Sequence, residues 1–151
     1  GGLIAIEREN NTTDHIVGGQ PLDAEVNSPL IKSIFWPNNP LHDLGCIVHG
    51  DRIVKASVQF PLADGTAMLP SDLGSRHRAG VGLSMRCDAL VIIISEQTGN
   101  ISFADHGKLI PVERDDLETE LMARLNPGEE TLSEVNTEDT TKSNPIAEQT
   151  E

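Results

Sequence analysis

Ala89-Leu90-Val91-Ile92-Ile93-Ile94-Ser95 is apolar without alternation until its last residue. A short run of that kind, rich in β-branched side chains, reads as a central strand covered on both faces. Working outward, Thr98-Gly99-Asn100 turns the chain into a second strand, Ile101-Ser102-Phe103-Ala104, and His106-Gly107-Lys108 makes a further turn. Upstream, Ser71 to Arg86 reads as a helix despite Gly80 and Gly82, each costing roughly 1 kcal/mol against Ala. Glycines kept there imply a closely packed neighbour. Leu3 to Ile6 reads as another buried strand, ending in the polar turn Glu9 to Asp14. Ser28-Pro29 starts a compact helix through Leu30, Ile31, Ile34 and Phe35, with Ser28 as cap and Pro37 as stop. Cys46 to His49, Gly50-Asp51, then Ile53 to Val58 read as a β-hairpin. Glu113 to Leu125 is amphipathic, with Leu117, Leu121 and Leu125 on one stripe. The expectation is a single α/β domain over residues 1–125, a central mixed twisted sheet flanked by helices.

The last segment, 126–151, carries seven acids, one lysine and few aliphatic residues. It cannot bury enough surface to order itself and reads as a disordered acidic tail. The whole chain has 151 residues, one Trp, three Phe and no Tyr, so its core must come from Ile, Val, Leu and Ala. A net charge of −13, from 11 Lys+Arg against 24 Asp+Glu, excludes DNA and anionic membrane surfaces as partners. Cys46 and Cys87 lack metal-ligand spacing and read as buried free thiols of a cytoplasmic protein. No apolar run is long enough for a membrane span. The chain opens abruptly on a strand, so any membrane anchor would lie upstream of it.

Against that acidic background, Asp72-Leu73-Gly74-Ser75-Arg76-His77-Arg78-Ala79-Gly80 gathers two guanidinium groups and an imidazole after a Gly-Ser step. Planar forks and free N–H groups at the positive end of a helix are what a polyphosphate needs. A solvated helix start with ordinary surface arginines accounts for the spacing equally well.

Four blocks carry a family resemblance: Gly2-Leu3-Ile4-Ala5-Ile6-Glu7-Arg8, Pro37-Asn38-Asn39-Pro40-Leu41-His42-Asp43, Leu73-Gly74-Ser75-Arg76-His77-Arg78-Ala79 and Ser95-Glu96-Gln97-Thr98-Gly99. In this order and spacing they resemble the diadenylate cyclase domain of cyclic di-AMP synthases, particularly the membrane-anchored type. The resemblance covers roughly residues 2–125. It implies condensation of two ATP into cyclic di-AMP and two pyrophosphates, with Mg²⁺ or Mn²⁺, across a face-to-face homodimer. It places the domain in the cytoplasm, held at a membrane only through an upstream anchor.

Carried onto this chain, the resemblance makes Asp43 and Glu96 the catalytic acids. Asp43, Glu96 and His42 become the metal neighbours. The nucleotide falls to Leu44, Gly45, Phe60, Gly74, Ser75, Arg76, His77 and Arg78. Phe60 would meet adenine, and the two arginines with His77 would neutralise phosphates. Taken alone, Asp43 is also a turn carboxylate, His42 a structural histidine, Glu96 a hairpin residue and Phe60 a core residue. Trp36 reads as a packing residue at a helix end.

Two departures matter. The family's Asp-Gly-Ala is here Asp43-Leu44-Gly45, and a Leu side chain crowds the site or forbids a left-handed backbone. Gln97 replaces a frequent Glu. A catalytically impaired ATP- or cyclic di-AMP-binding module is therefore the alternative reading.

Overall fold

The computed structural model describes residues 1–65 and 68–128. The tail expected over 126–151 lies outside the described residues from 129 onward. Among the described residues seven strands form one sheet: β1 (Gly2–Ile6), β2 (Val17–Glu25), β3 (Gly45–His49), β4 (Arg52–Gln59), β5 (Leu90–Ile94), β6 (Ile101–Asp105) and β7 (Lys108–Val112). Their order is β2-β4-β3-β1-β5-β6-β7. β1 and β3 are parallel, and every other neighbouring pair is antiparallel, so the sheet is mixed.

The strand pleat divides the apolar residues between two cores. Leu3, Ala5, Ile47, Val91 and Ile93 face α2 (Ser75–Ser84), packing with its Val81 and Leu83. Ile4, Cys46, Val48 and Ile53 face the other way and pack with Ile34 of α1 (Ser28–Ile34). Ile92 of β5 joins this second core, so β5 is covered on both faces, as its unbroken apolar run requires. Burial pushes the Cys46 thiol up to about 12, which leaves it inert.

Four details differ from expectation. Asn27, not Ser28, caps α1: its side chain accepts the Leu30 N–H at 2.9 Å. α2 begins at Ser75 rather than Ser71, because residues after Pro70 form a turn and Gly74 is extended. A 3₁₀ turn, Arg114–Asp116, precedes α3 (Leu117–Leu125), where a continuous helix from Glu113 was expected. Trp36 is 64 % exposed rather than packed, since Ile34 and Phe35 already fill that end of the core.

Asp105, at the end of β6, anchors α3. It pairs with Arg8, and with Arg124 of α3 at 3.0 Å; Arg124 also lies over the Phe103 ring. Burial alone would raise the Asp105 carboxyl, but the Arg8 pair, reinforced by Arg124, outweighs it and holds the group below its ordinary value. Among the described residues no helix is long and apolar enough to cross a membrane.

Candidate nucleotide site

The motif between Gly74 and Arg78 straddles the start of α2. Gly74 is the N-terminal flanking residue and no side chain among the described residues caps the helix, so its first N–H groups stay open to a ligand. A Cβ built on Gly74 would stand in open space. The α2 start borders a cavity of about 830 Å³, whose other walls are the β5–β6 turn and the β7 region. Gly74, Ser75, Arg76, His77 and Glu96 all line it.

Arg76 is the most constrained of these. Its side chain is only 15 % exposed, its Nη1 donates to Glu96 Oε2 at 2.7 Å, and its buried Nε–H has no partner among the described residues. Glu96 sits on the turn after β5 with its side chain 70 % exposed. The hydrogen bond from Arg76 holds the Glu96 carboxyl below its usual range, and His42 adds a smaller pull in the same direction.

His42 and Asp43 form a second pair, their Nε2 and Oδ1 3.2 Å apart. His42 Nδ1 lies 2.7 Å from the Asn39 carbonyl, which can only accept, so Nδ1 carries the proton. In the neutral ring Nε2 is then a lone pair facing a carboxylate oxygen. Such a pair calls for a proton or a cation between the two atoms. A backbone carbonyl behind the ring is also the usual support of a metal-binding histidine. Asp43 and Glu96 offer hard oxygen donors of the kind Mg²⁺ or Mn²⁺ takes, although Glu96 lines the cavity and His42 and Asp43 do not. Among the described residues no three His, Cys, Asp or Glu side chains converge, so nucleotide oxygens would have to complete the coordination.

Several expected roles need correction. Arg78 does not share the cavity with Arg76. Residues two apart on a helix are turned about 200° from one another, and Arg78 donates instead to the Pro70 carbonyl at 3.3 Å. His77 is buried, and burial lowers its pKa, which works against the third positive charge expected of it. Phe60 is 3 % exposed and belongs to the core, with no free face for a base. Gly45 is buried as well. A Cβ there would lie 2.5 Å from Phe60 Cζ, so that glycine makes room for the ring rather than for a nucleotide.

Leu44 departs from expectation the other way. It adopts φ +66° despite its side chain, which remains 45 % exposed. A left-handed backbone costs a branched residue about 1–2 kcal/mol, partly offset by the freedom glycine would regain on unfolding. Leu44→Gly should therefore stabilise the fold by about 0.5–1 kcal/mol, read from the urea midpoint. An unchanged or lower midpoint would mean that the side chain is held by packing.

Sequence reasoning missed the cavity's far wall, where Thr98, Asn100, Ser102 and Arg114 gather. Arg114 sits in what reads as the first turn of an amphipathic helix, and Ser102 is an ordinary strand position. Neither carries a local signal.

The family whose model is described as DisA bacterial checkpoint controller nucleotide-binding matches residues 1–109, a span that takes in β1 to β6 and α2. The chain belongs to the diadenylate cyclase domain family. Cyclic di-AMP synthase CdaS of Bacillus subtilis is 46 % identical over 112 residues, which make up 74 % of this chain and 53 % of that protein. The diadenylate cyclase of Listeria monocytogenes serotype 1/2a is 42 % identical over 121 residues, 80 % of this chain and 43 % of that protein. This diadenylate cyclase domain chain thus spans about half the length of the curated relatives it matches. Among solved structures, a double mutant of DacA from Staphylococcus aureus superposes with a TM-score of 0.76 at 38 % identity, over 82 % of each chain. A hypothetical membrane spanning protein from Bacillus cereus gives a TM-score of 0.72 at 42 % identity, over 74 % of this chain and 54 % of that one.

Proposed function

We propose that this chain is a diadenylate cyclase, condensing two ATP into cyclic di-AMP with release of two pyrophosphates. Each 3′-hydroxyl attacks the α-phosphate of the other ATP. A phosphodiester forms, the α–β anhydride bond breaks, and pyrophosphate leaves with the electron pair. One protomer offers one phosphate cradle, so the two attacks require two protomers face to face. The observation that carries the reading is Arg76, half-buried at the uncapped start of α2, its Nε–H buried and unpartnered among the described residues, beside a cavity large enough for a nucleotide.

Within this reading Arg76 and the first N–H groups of α2 hold the phosphates, and His77 donates a hydrogen bond. Asp43 accepts the proton of the attacking hydroxyl, while His42, Asp43 and Glu96 would hold Mg²⁺ or Mn²⁺. That cation, when bound, supplies positive charge to the phosphates and acidifies the hydroxyl. Most of the remaining work is orientation and charge placement, as expected of phosphoryl-type transfer. Incubating the chain with ATP and Mn²⁺ should yield cyclic di-AMP by chromatography; ATP binding without product would reject the cyclase reading.

A second reading is supported by Leu44. Its half-exposed branch stands beside Asp43, where the family motif has no side chain. On this reading the domain binds ATP and turns it over poorly, and Leu44→Gly raises the rate. A rate unchanged by that substitution rejects it.

A further inference from the structure

We infer that Glu96 makes the site selective for cation-complexed triphosphate by occupying Arg76 until a cation offers its carboxylate another partner. The inference rests on the nucleotide-binding reading above and adds the form of nucleotide that the site accepts. The two halves of the pair differ in freedom. Arg76 is 15 % exposed and fixed in the first turn of α2, whereas Glu96 is 70 % exposed on a turn and can swing. The 2.7 Å contact puts a carboxylate oxygen on the guanidinium face that a phosphate oxygen would use.

A bare triphosphate therefore meets a guanidinium that is already neutralised. To bind, it must break a charge-assisted bond and leave the Glu96 carboxylate facing its own oxygens, with like charges in a partly enclosed cavity. A triphosphate carrying a divalent cation meets the same pair differently. Glu96 exchanges the guanidinium for the cation, Arg76 is released to a phosphate, and every charge keeps an opposite partner. Glu96 is thus a specificity-determining residue, acting against metal-free nucleotide as well as for the metal complex. Nucleotide and cation must then tighten one another's binding by the same factor.

The test is calorimetric titration of the whole chain with the α,β-methylene analogue of ATP, which cannot be cyclised. Wild type and Glu96→Gln are each measured in EDTA and in Mg²⁺. The substitution lies on an exposed turn and keeps the shape of the side chain, so folding is preserved. In EDTA, Glu96→Gln should bind about tenfold tighter than wild type, and Mg²⁺ should tighten wild type by about tenfold while helping Glu96→Gln far less. Equal affinities of the two proteins in EDTA, with binding present, would overturn the inference and leave the nucleotide site standing. Binding by neither protein in either buffer would overturn the nucleotide reading itself.

Discussion

Asp43→Asn should cut cyclic di-AMP formation by at least about a hundredfold, the usual lower bound for losing a positioned proton acceptor. Stability should meanwhile change by less than about 0.5 kcal/mol, as at other exposed positions. The asymmetry comes from the side chain's surroundings. Asp43 is 74 % exposed and, among the described residues, its side chain is paired with His42 alone, whose ring is held from behind by the Asn39 carbonyl. Asparagine keeps the volume and one carbonyl oxygen, so His42 stays in place. What disappears is the negative charge facing His42 Nε2, and with it both the proton acceptor and one hard donor for the cation. Product formation and the urea midpoint, measured on the same preparations, separate these effects. Retained activity would move the acid role to Glu96, whereas a large loss of stability would show Asp43 to be part of the fold.

That some elements are legible in the sequence while others are not has a physical basis. Residues whose role depends on the local backbone announce themselves in short windows. The unbroken run from Leu90 to Ile94 and the Gly50-Asp51 turn between β3 and β4 are of this kind. β2 is the opposite case. Val17–Glu25 contains two glycines and a proline, is mostly exposed, and is held at the sheet edge by backbone pairing to β4. Only a ready partner strand makes it a strand, and no local pattern reveals one. Phe60 and Arg78 mislead for another reason. A phenylalanine near a motif serves a core or a base equally well. The direction of Arg78 depends on where α2 begins, and a shift of that start from Ser71 to Ser75 changes which residues share the ligand-facing turn. Leu44 exposes the limit of propensity. Its backbone is left-handed although leucine disfavours that region, so the surrounding fold overrides the residue's own preference.

The fold sets Arg76 by clamping the far end of its helix, and Gly82→Ala should reveal this as the most destabilising of the α2 glycine substitutions, at about 3 kcal/mol or more. A Cβ on Gly82 would press into the Pro61 carbonyl oxygen and lie 2.6 Å from both the Ala63 nitrogen and the Leu62 carbonyl carbon. These are backbone atoms, and the Ala63 N–H is itself bonded to the Arg78 carbonyl at 2.9 Å, so the loop cannot retreat without breaking its hold on the helix. Gly80 provides the contrast. There a Cβ would meet Ile93 Cδ1 at 2.6 Å and Cγ1 at 2.9 Å, side-chain rather than backbone atoms in a fully buried residue, and Gly80→Ala should cost less, about 1–2 kcal/mol. Gly74→Ala, whose Cβ meets nothing, should fall within about 0.5 kcal/mol of wild type. Urea midpoints for the three variants should rank in that order, with nucleotide affinity falling first in Gly82→Ala, because tilting α2 away from the 61–63 loop moves Arg76 off Glu96 and out of line with the cavity. Equal midpoints for Gly82→Ala and Gly80→Ala would mean that the loop yields freely, and Arg76 would then owe its position to Glu96 alone.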